Sequence, residues 1–332
     1  MRVTEHTNFE TVRGSIARSK GRMEKLQTQS ATLKKLNAPS DDPIGASKVL
    51  EIRTDKVNND QFQMNVKMAE TFLTNTDHAL GELADLVVRA KEIAIGQSSG
   101  ASSNDETRLG VAEEIAQLFK QAVATANRRI GDRYLFGGYK THRPPVDATG
   151  KYEGDDGQMM IEIAKDVYLS SNVPGIDAFN TNPKKYVEGE GVYGGNPKQF
   201  KLGDSYEAPQ SAEDPDSAGP ENVNVFDEVQ NLRIALLTGD VDGIRNTLER
   251  FDQIHGKLIA TRSKLGSRLQ GLGSTNQALE RHNVTNAGLS SVIEDADMAQ
   301  VVSDLAKEET VFRSSLASSQ KLIQPTLLDF LK

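Results

Sequence analysis

Residues 244–279 read IRNTLERFDQIHGKLIATRSKLGSRLQGLGSTNQAL. Within them Ile244, Leu248, Phe251, His255, Leu258, Arg262, Leu265, Leu269, Leu272, Asn276 and Leu279 recur at strictly alternating spacings of four and three. Side chains three and four apart lie above one another on a helix, so this alternation draws a single narrow stripe along one face. A stripe that holds its phase over so many turns is a coiled-coil seam, and it predicts a long helix paired lengthwise with another. Upstream, helical period resumes at Val225; Gly239 ends that helix and Asp240 caps the next.

The C-terminal stretch repeats the theme more thinly. Gly288 is expected to interrupt the long helix, and Ser291 with Glu294 has the spacing of a capping box that opens a final helix. Its seam is Met298, Val302, Leu305, Glu309, Phe312, Leu316, Ser319 and Ile323, ending before Pro325. The N-terminus mirrors it. Phe9, Val12, Ile16, Ser19, Met23, Leu26, Ser30 and Leu33 form one stripe, and Arg13, Arg18, Lys20, Arg22 and Lys25 lie opposite. Serines on both stripes leave little apolar surface, so each end alone is a marginal helix in water. If the ends pair, each covers the other's stripe.

Between them, Asn37–Pro43 breaks the chain. Either Asp41 or Asp42 can cap, and Pro43 suits a first helical position, which starts a second helix near Ile44. That helix carries Phe62, Val66, Ala69, Leu73, Thr76, Leu80, Leu83, Val87, Ala90 and Ala94 to Gly96. Ser103 and Glu106 have capping-box spacing for a third helix, with Leu109, Ala112, Ala116, Phe119, Val123 and Ala126 inward, running to about Ile130. RYLFGGY, 133–139, is an aromatic run closed by two glycines and reads as a hairpin strand. Residues 141–225 then lose helical period, hold 15 acidic against 7 basic residues, and contain 8 of the chain's 11 prolines. Since the whole chain is at −8, the remainder is neutral, and the shift marks a separate, β-rich and solvent-facing insert. The expected organisation is an N-terminal assembly helix over 1–43 that pairs with a C-terminal one over 289–332, two halves of a helical rod domain over 44–140 and 225–288, and a β-rich surface domain over 141–224.

Several chemistries are unsupported. With no cysteine there is no disulfide framework or thiolate metal site. The five His residues, at 6, 78, 142, 255 and 282, lack ligand spacing; His255 on the seam is expected in core or rim. Glu294, Asp295 and Asp297 fit the favourable acidic start of a helix better than a metal site. Asp240-x-Asp242-Gly243 and Asp155-Asp156-Gly157 lack the spaced ligands of a calcium loop. Gly271-x-Gly273 has neither the third glycine nor the preceding strand of a dinucleotide site, and no nucleophile–base pairing is visible. The basic face of residues 13–35 is interrupted by acids, without interleaved aromatics, so nucleic acid and membrane are not expected partners. The first residues, MRVTEHTNFETV, contain no apolar signal-peptide core.

Four stretches carry a resemblance. Leu36–Gly45 reads LNAPSDDPIG; Ala126–Tyr139 reads ANRRIGDRYLFGGY; Leu265–Leu269 reads LGSRL; and Ser290–Ala299 reads SSVIEDADMA. In this order, with the ending LLDFL, they resemble the motifs of the flagellin superfamily, at Asn37, Pro39, Asp41, Asp42, Pro43, Asn127, Tyr134, Phe136, Gly138, Glu294, Asp295 and Asp297. The Pro-x-Asp-Asp-Pro form of the break and the YLFGG run are similar to its junction-protein branch rather than to flagellins proper. The resemblance implies a mainly α, flagellin-like rod of long coiled-coil helices made by the N- and C-terminal segments, with a β-hairpin and a central β-rich inserted domain. It also implies a non-enzymatic structural role without cofactor, at the joint of hook and filament outside the cell. Export would be through the flagellar type III channel, without a cleaved signal peptide. The implied partners are further copies of the chain in a helical tube, hook-associated protein 1 on the hook side, flagellin on the filament side, and a cytoplasmic export chaperone beforehand. The residues expected to seal that tube are the seam positions Val12, Ile16, Met23, Leu26, Leu33, Met298, Val302, Leu305, Phe312, Leu316 and Ile323.

Overall fold

A computed structural model of the chain describes residues 2–98, 105–181 and 223–323. Its elements in order are α1 (Arg2–Thr32), α2 (Pro43–Ser98), α3 (Asp105–Ala126), β1 (Arg129–Ile130), β2 (Arg133–Tyr134), β3 (Met160–Ala164), β4 (Val167–Ser170), α4 (Gly175–Phe179), α5 (Val225–Thr238), α6 (Val241–Glu294) and α7 (Met298–Ile323). The fold is mainly α, as expected, and among the described residues its β structure is two small antiparallel hairpins, β1–β2 and β3–β4. The chain divides into two compact units, one made of residues 1–60 and 279–332, the other of residues 61–278.

In the unit of residues 61–278 the seams deliver a dry core. Val66, Ala69, Leu73, Leu80, Leu83, Val87, Ala90 and Ala94 of α2 are buried, as are Ile244, Phe251, Leu258, Leu265 and Leu272 of α6. His255 is half-buried at the rim of this stripe. Arg262 donates to both Asp77 carboxylate oxygens, at 2.9 and 3.2 Å, and Lys91 pairs with Asp252. Partners that rise in number along one helix while falling along the other run antiparallel. Helix α3 packs on α5 through Phe119 and Phe226, edge to face at 6.5 Å.

The hairpins and the following loop complete that core rather than standing apart from it. Phe179 of α4 lies 5.2 Å from Phe226 and 5.0 Å from Phe136, and Tyr152 stacks edge-on to Phe179 at 6.2 Å. Four of these rings, Phe119, Phe136, Phe179 and Phe226, are buried, and each pair contributes roughly 0.5–1.5 kcal/mol beyond area burial. Part of the stretch expected to face solvent, within residues 146–180, therefore contributes buried side chains to the core, while Met160, Val167 and Tyr168 remain exposed. The apolar residues that do this work, Val146, Ile163, Val173, Ala178 and Phe179, follow no helical period and are invisible to a period count. β3 pairs with β4 from Met160 opposite Ser170 to Ala164 opposite Val167, with an irregularity between Glu162 and Ala164.

Caps agree with the expectations in part. Gly239 sits at φ 70°, where only glycine is free of strain, and Asp240 accepts from Gly243 N–H at 3.0 Å. Asp42, not Asp41, caps α2, accepting from Ile44 and Gly45 N–H at 3.1 and 3.0 Å. Gly288 does not interrupt α6, which runs unbroken to Glu294. A mid-helix glycine costs about 1 kcal/mol, which a long packed helix absorbs. Ser291 and Glu294 are the last turn of α6 and not a capping box; the cap of α7 is Asp297, accepting from Ala299 and Gln300 N–H at 2.9 and 3.3 Å. Helix α3 stops at Ala126, short of Ile130, and Leu109 is exposed. Ser103, the side chains of Glu106, Phe9 and Ile323, and the ending LLDFL lie outside what is described.

Candidate assembly interface

The unit of residues 1–60 and 279–332 joins the two ends of the chain, α1 lying against α7. The face of α1 is the one its sequence draws. Val12, Ile16, Met23 and Leu26 are half-buried, and Ser19 is fully buried. On α7 the face is turned by about one residue. Met298, Leu305 and Phe312 are half-buried as expected, but Val301 is buried while Val302 is 54% exposed, and Leu316 is 40% exposed. Leu33 falls past the end of α1, at φ 59°, and is exposed. The intramolecular stripe is thus Val301, Leu305, Glu308, Phe312, Ser315 and Ser319, and Val302, Leu316 and Leu33 stand outside it.

Glu308 rather than Glu309 occupies the stripe, and it is partnered. Ser19 Oγ donates to Glu308 Oε1 at 2.8 Å, and Arg22 donates to the same oxygen at 2.8–2.9 Å. The hydrogen bonds from Arg22 and then Ser19 hold the Glu308 carboxyl below the usual range. The serine on the seam is therefore the donor that makes a carboxylate acceptable there.

A second constellation fastens the two connectors of this unit. Lys35 N–H donates to the Glu294 carbonyl at 2.6 Å, and Ala296 N–H donates to the Leu33 carbonyl at 3.1 Å, a two-rung antiparallel bridge centred on Lys34 and Asp295. The buried Glu294 side chain binds Lys34 Nζ at 2.7 Å and the Arg53 guanidinium. Burial raises the Glu294 carboxyl, but the hydrogen bonds and charges of Lys34 and Arg53 outweigh it, and the net direction is down. Within the connector after α1, Asp41 accepts from Asn37 and Ala38 N–H at 3.2 and 3.1 Å and pairs with Lys25 at 2.9 Å. Lys25 first, then those backbone donors, hold Asp41 low. Asn37 donates to the Lys34 carbonyl at 2.9 Å and accepts from Thr32. Pro39 is exposed in the same turn, and Pro43 is the first residue of α2. The SSVIEDAD stretch thus meets Leu33–Lys35, just ahead of NAPSDDP, with Glu294 as anchor, Asp295 in the bridge and Asp297 as cap. Ser291 hydrogen-bonds Asp295.

The remaining motif lies in the other unit and is architectural. Asn127 clamps the Val146 backbone, donating to its carbonyl at 2.7 Å and accepting from its N–H at 3.0 Å. Tyr134 is half-buried in β2, and Phe136 is fully buried, its carbonyl accepting from the Tyr152 hydroxyl at 2.7 Å. Burial raises the Tyr152 titration and keeps the phenol protonated. Gly138 sits at φ 68°, and a Cβ there would come 1.9 Å from an Asp155 carboxylate oxygen. Only glycine lets Asp155 cap Tyr139 N–H at 2.6 Å. Among the described residues no group of three or more His, Asp or Glu could hold a metal ion, and no helix is long and apolar enough to cross a membrane. Lys34, Arg53 and Glu308 were not marked by sequence; Ser19 was, as a polar residue on an apolar stripe.

Residues 6–141 match the bacterial flagellin N-terminal helical region. The chain is 26% identical over 305 residues to the flagellar hook-associated protein 3 of Salmonella typhimurium, covering 90% of this chain and 93% of that one. It is 22% identical over 295 residues to a flagellin of Listeria monocytogenes, covering 89% and 86%. In structure it resembles the flagellar junction protein FlgL from Legionella pneumophila, with a TM-score of 0.53 at 20% identity over 75% of this chain and all of that one.

Proposed function

We propose that this chain, which belongs to the flagellin superfamily, is the structural subunit that joins the hook of the bacterial flagellum to its filament. Copies polymerise in a tube through α1 and α7. The observation that carries the reading is the half-finished seam. Val12, Ile16, Met23, Leu26, Met298, Leu305 and Phe312 are only half buried against the chain's own other end, while Val302 and Leu316 stay 54% and 40% exposed. Apolar surface left on paired terminal helices has its burial completed by neighbours. The full-length similarity to a hook-associated protein 3 supports that place in the organelle. On this reading the neighbours are hook-associated protein 1 toward the hook and flagellin toward the filament. Passage to the tip is by flagellar export with a cytoplasmic chaperone holding the C-terminal segment.

The similarity to a flagellin favours a second reading, the filament subunit itself. Purified protein added to isolated hooks separates the two under the electron microscope: a short terminal zone fits a junction, and indefinite growth fits a filament. Deleting the gene tests the role in the cell. The expected result is hooks without filaments, flagellin shed into the medium and no motility; normal filaments would overturn the proposal. Complementation with Leu316→Asp should fail to restore filaments although the secreted chain keeps its helical content, because Leu316 lies outside the intramolecular stripe.

A further inference from the structure

A cleft of about 330 Å³ opens between α2 and the last turns of α6, wholly within the unit of residues 1–60 and 279–332. Arg53 and Lys56 line it from α2, Asn286, Ser290 and Glu294 from α6, and Lys34 from the connector after α1. Asn286 is only 6% exposed, and its side-chain Nδ2 has no hydrogen-bond partner among the described residues. An unsatisfied buried amide costs about 1–3 kcal/mol, so such a donor is normally kept for an acceptor. The other unfilled groups are also donors. Lys56 makes no ion pair and Ser290 no side-chain hydrogen bond among the described residues, and Glu294 uses only part of the donor capacity of Lys34 and Arg53. Three cations face two carboxylates, Glu294 and Asp295, and the second is engaged by Ser291.

We infer that this cleft is an inter-subunit socket, filled in the assembled state by an Asp or Glu side chain of a second copy of this chain; the inference rests on the self-assembly reading above. An acceptor-only group with one negative charge is what the donor set lacks. A net excess of one cation in a half-open cleft is too weak to retain a small free anion in salt. A carboxylate delivered by an already docked neighbour binds as an intramolecular group does and needs little further affinity. A copy of the chain supplies such groups in surplus, being −8 overall with 15 acidic against 7 basic residues in 141–225.

Two measurements on the full chain test this. The first is the lowest protein concentration at which it adds to isolated hooks that carry hook-associated protein 1. Lys56→Glu should raise it at least tenfold with the urea midpoint unchanged, and Lys56→Arg should restore it. Equal addition by wild type and Lys56→Glu would overturn the socket while leaving self-assembly intact; failure of the wild type to add at all would overturn both. The second places a photo-crosslinking amino acid at position 56 in assembled particles. A bond to an acidic stretch of another copy is expected, and bonds only to flagellin or hook proteins, or none, would overturn the inference.

Discussion

The two units use the same helices differently. In residues 61–278, α2 and α6 bury most of their seam, from Val66 to Ala94 and from Ile244 to Leu272. Met64, Met68, Val88, Ile95 and Ile259 are exposed off it, and an aromatic cluster of Phe119, Phe136, Phe179 and Phe226 closes the core. In residues 1–60 and 279–332, few apolar side chains are buried, and the organising contacts are Ser19–Glu308–Arg22 and Lys34–Glu294–Arg53. Apolar burial contributes about 25 cal/mol per Å² and asks for no partner geometry, whereas polar contacts contribute about 1 kcal/mol each and hold only in one arrangement. A region completed by its own core folds by itself. A region whose apolar stripe is left half covered is registered by polar contacts and finished by others.

The sharpest way to break this contrast is at the aromatic core. Phe226→Ala removes a fully buried ring that touches both Phe119 and Phe179 and should cost about 3–5 kcal/mol in urea unfolding of the larger unit. A loss under 1 kcal/mol would mean the two units do not differ as described.

A smaller effect is expected at Glu294. Glu294→Gln keeps the shape but removes the charge that Lys34 and Arg53 face, and should cost about 1–2 kcal/mol, moderated because both cations are partly in water. The same group gives a pH dependence. Glu294, Glu308 and Asp41 titrate below their ordinary values in the folded unit, so their stabilisation is complete above about pH 4.3 and is lost as pH falls below it through the folded values. Hydrogen exchange between pH 7 and pH 3 should show α1 and α7 losing protection in that window, with a shallower loss in Glu294→Gln; protection that is unchanged by acid would contradict the polar fastening.

The smallest effect is expected between Thr181 and Val223. Thr181 N–H donates to the Val223 carbonyl at 3.0 Å and its hydroxyl accepts from Val223 N–H at 2.9 Å, so the two positions are already adjacent. Replacing 184–220 with a short Gly/Ser loop should leave the urea midpoint of the larger unit almost unchanged, since loop length enters closure entropy only logarithmically. Removing 145–220 instead should unfold it, because Tyr152, Val173 and Phe179 go with it. Equal tolerance of both deletions would show that the aromatic cluster is dispensable.

Much of this was legible beforehand where a pattern had one physical solution. The 244–279 seam, the αL glycine at Gly239 and the helix start at Pro43 each admit a single reading. The phase of α7 did not, because Val301 and Val302, like Glu308 and Glu309, are chemically equal neighbours, and a count of threes and fours cannot choose between them. Ser291 and Glu294 misled for a related reason, since capping-box spacing is also ordinary spacing within a helix. The socket residues Lys34, Arg53 and Asn286 belong to no local pattern and come together from three separated segments.

The sequence alone determined the long helices, the thin stripes at the two ends and the break before Pro43, because caps, turns and periods are set by neighbours along the chain; Asn127 and Gly138 were marked as fixed points only by the family resemblance. Tertiary structure decided which side of α7 faces α1, which glutamate sits on that face, and that Val146, Ile163, Val173, Ala178 and Phe179 enter the core. Those outcomes depend on which surfaces meet across more than a hundred residues, and the energy that selects among them arises only when they touch.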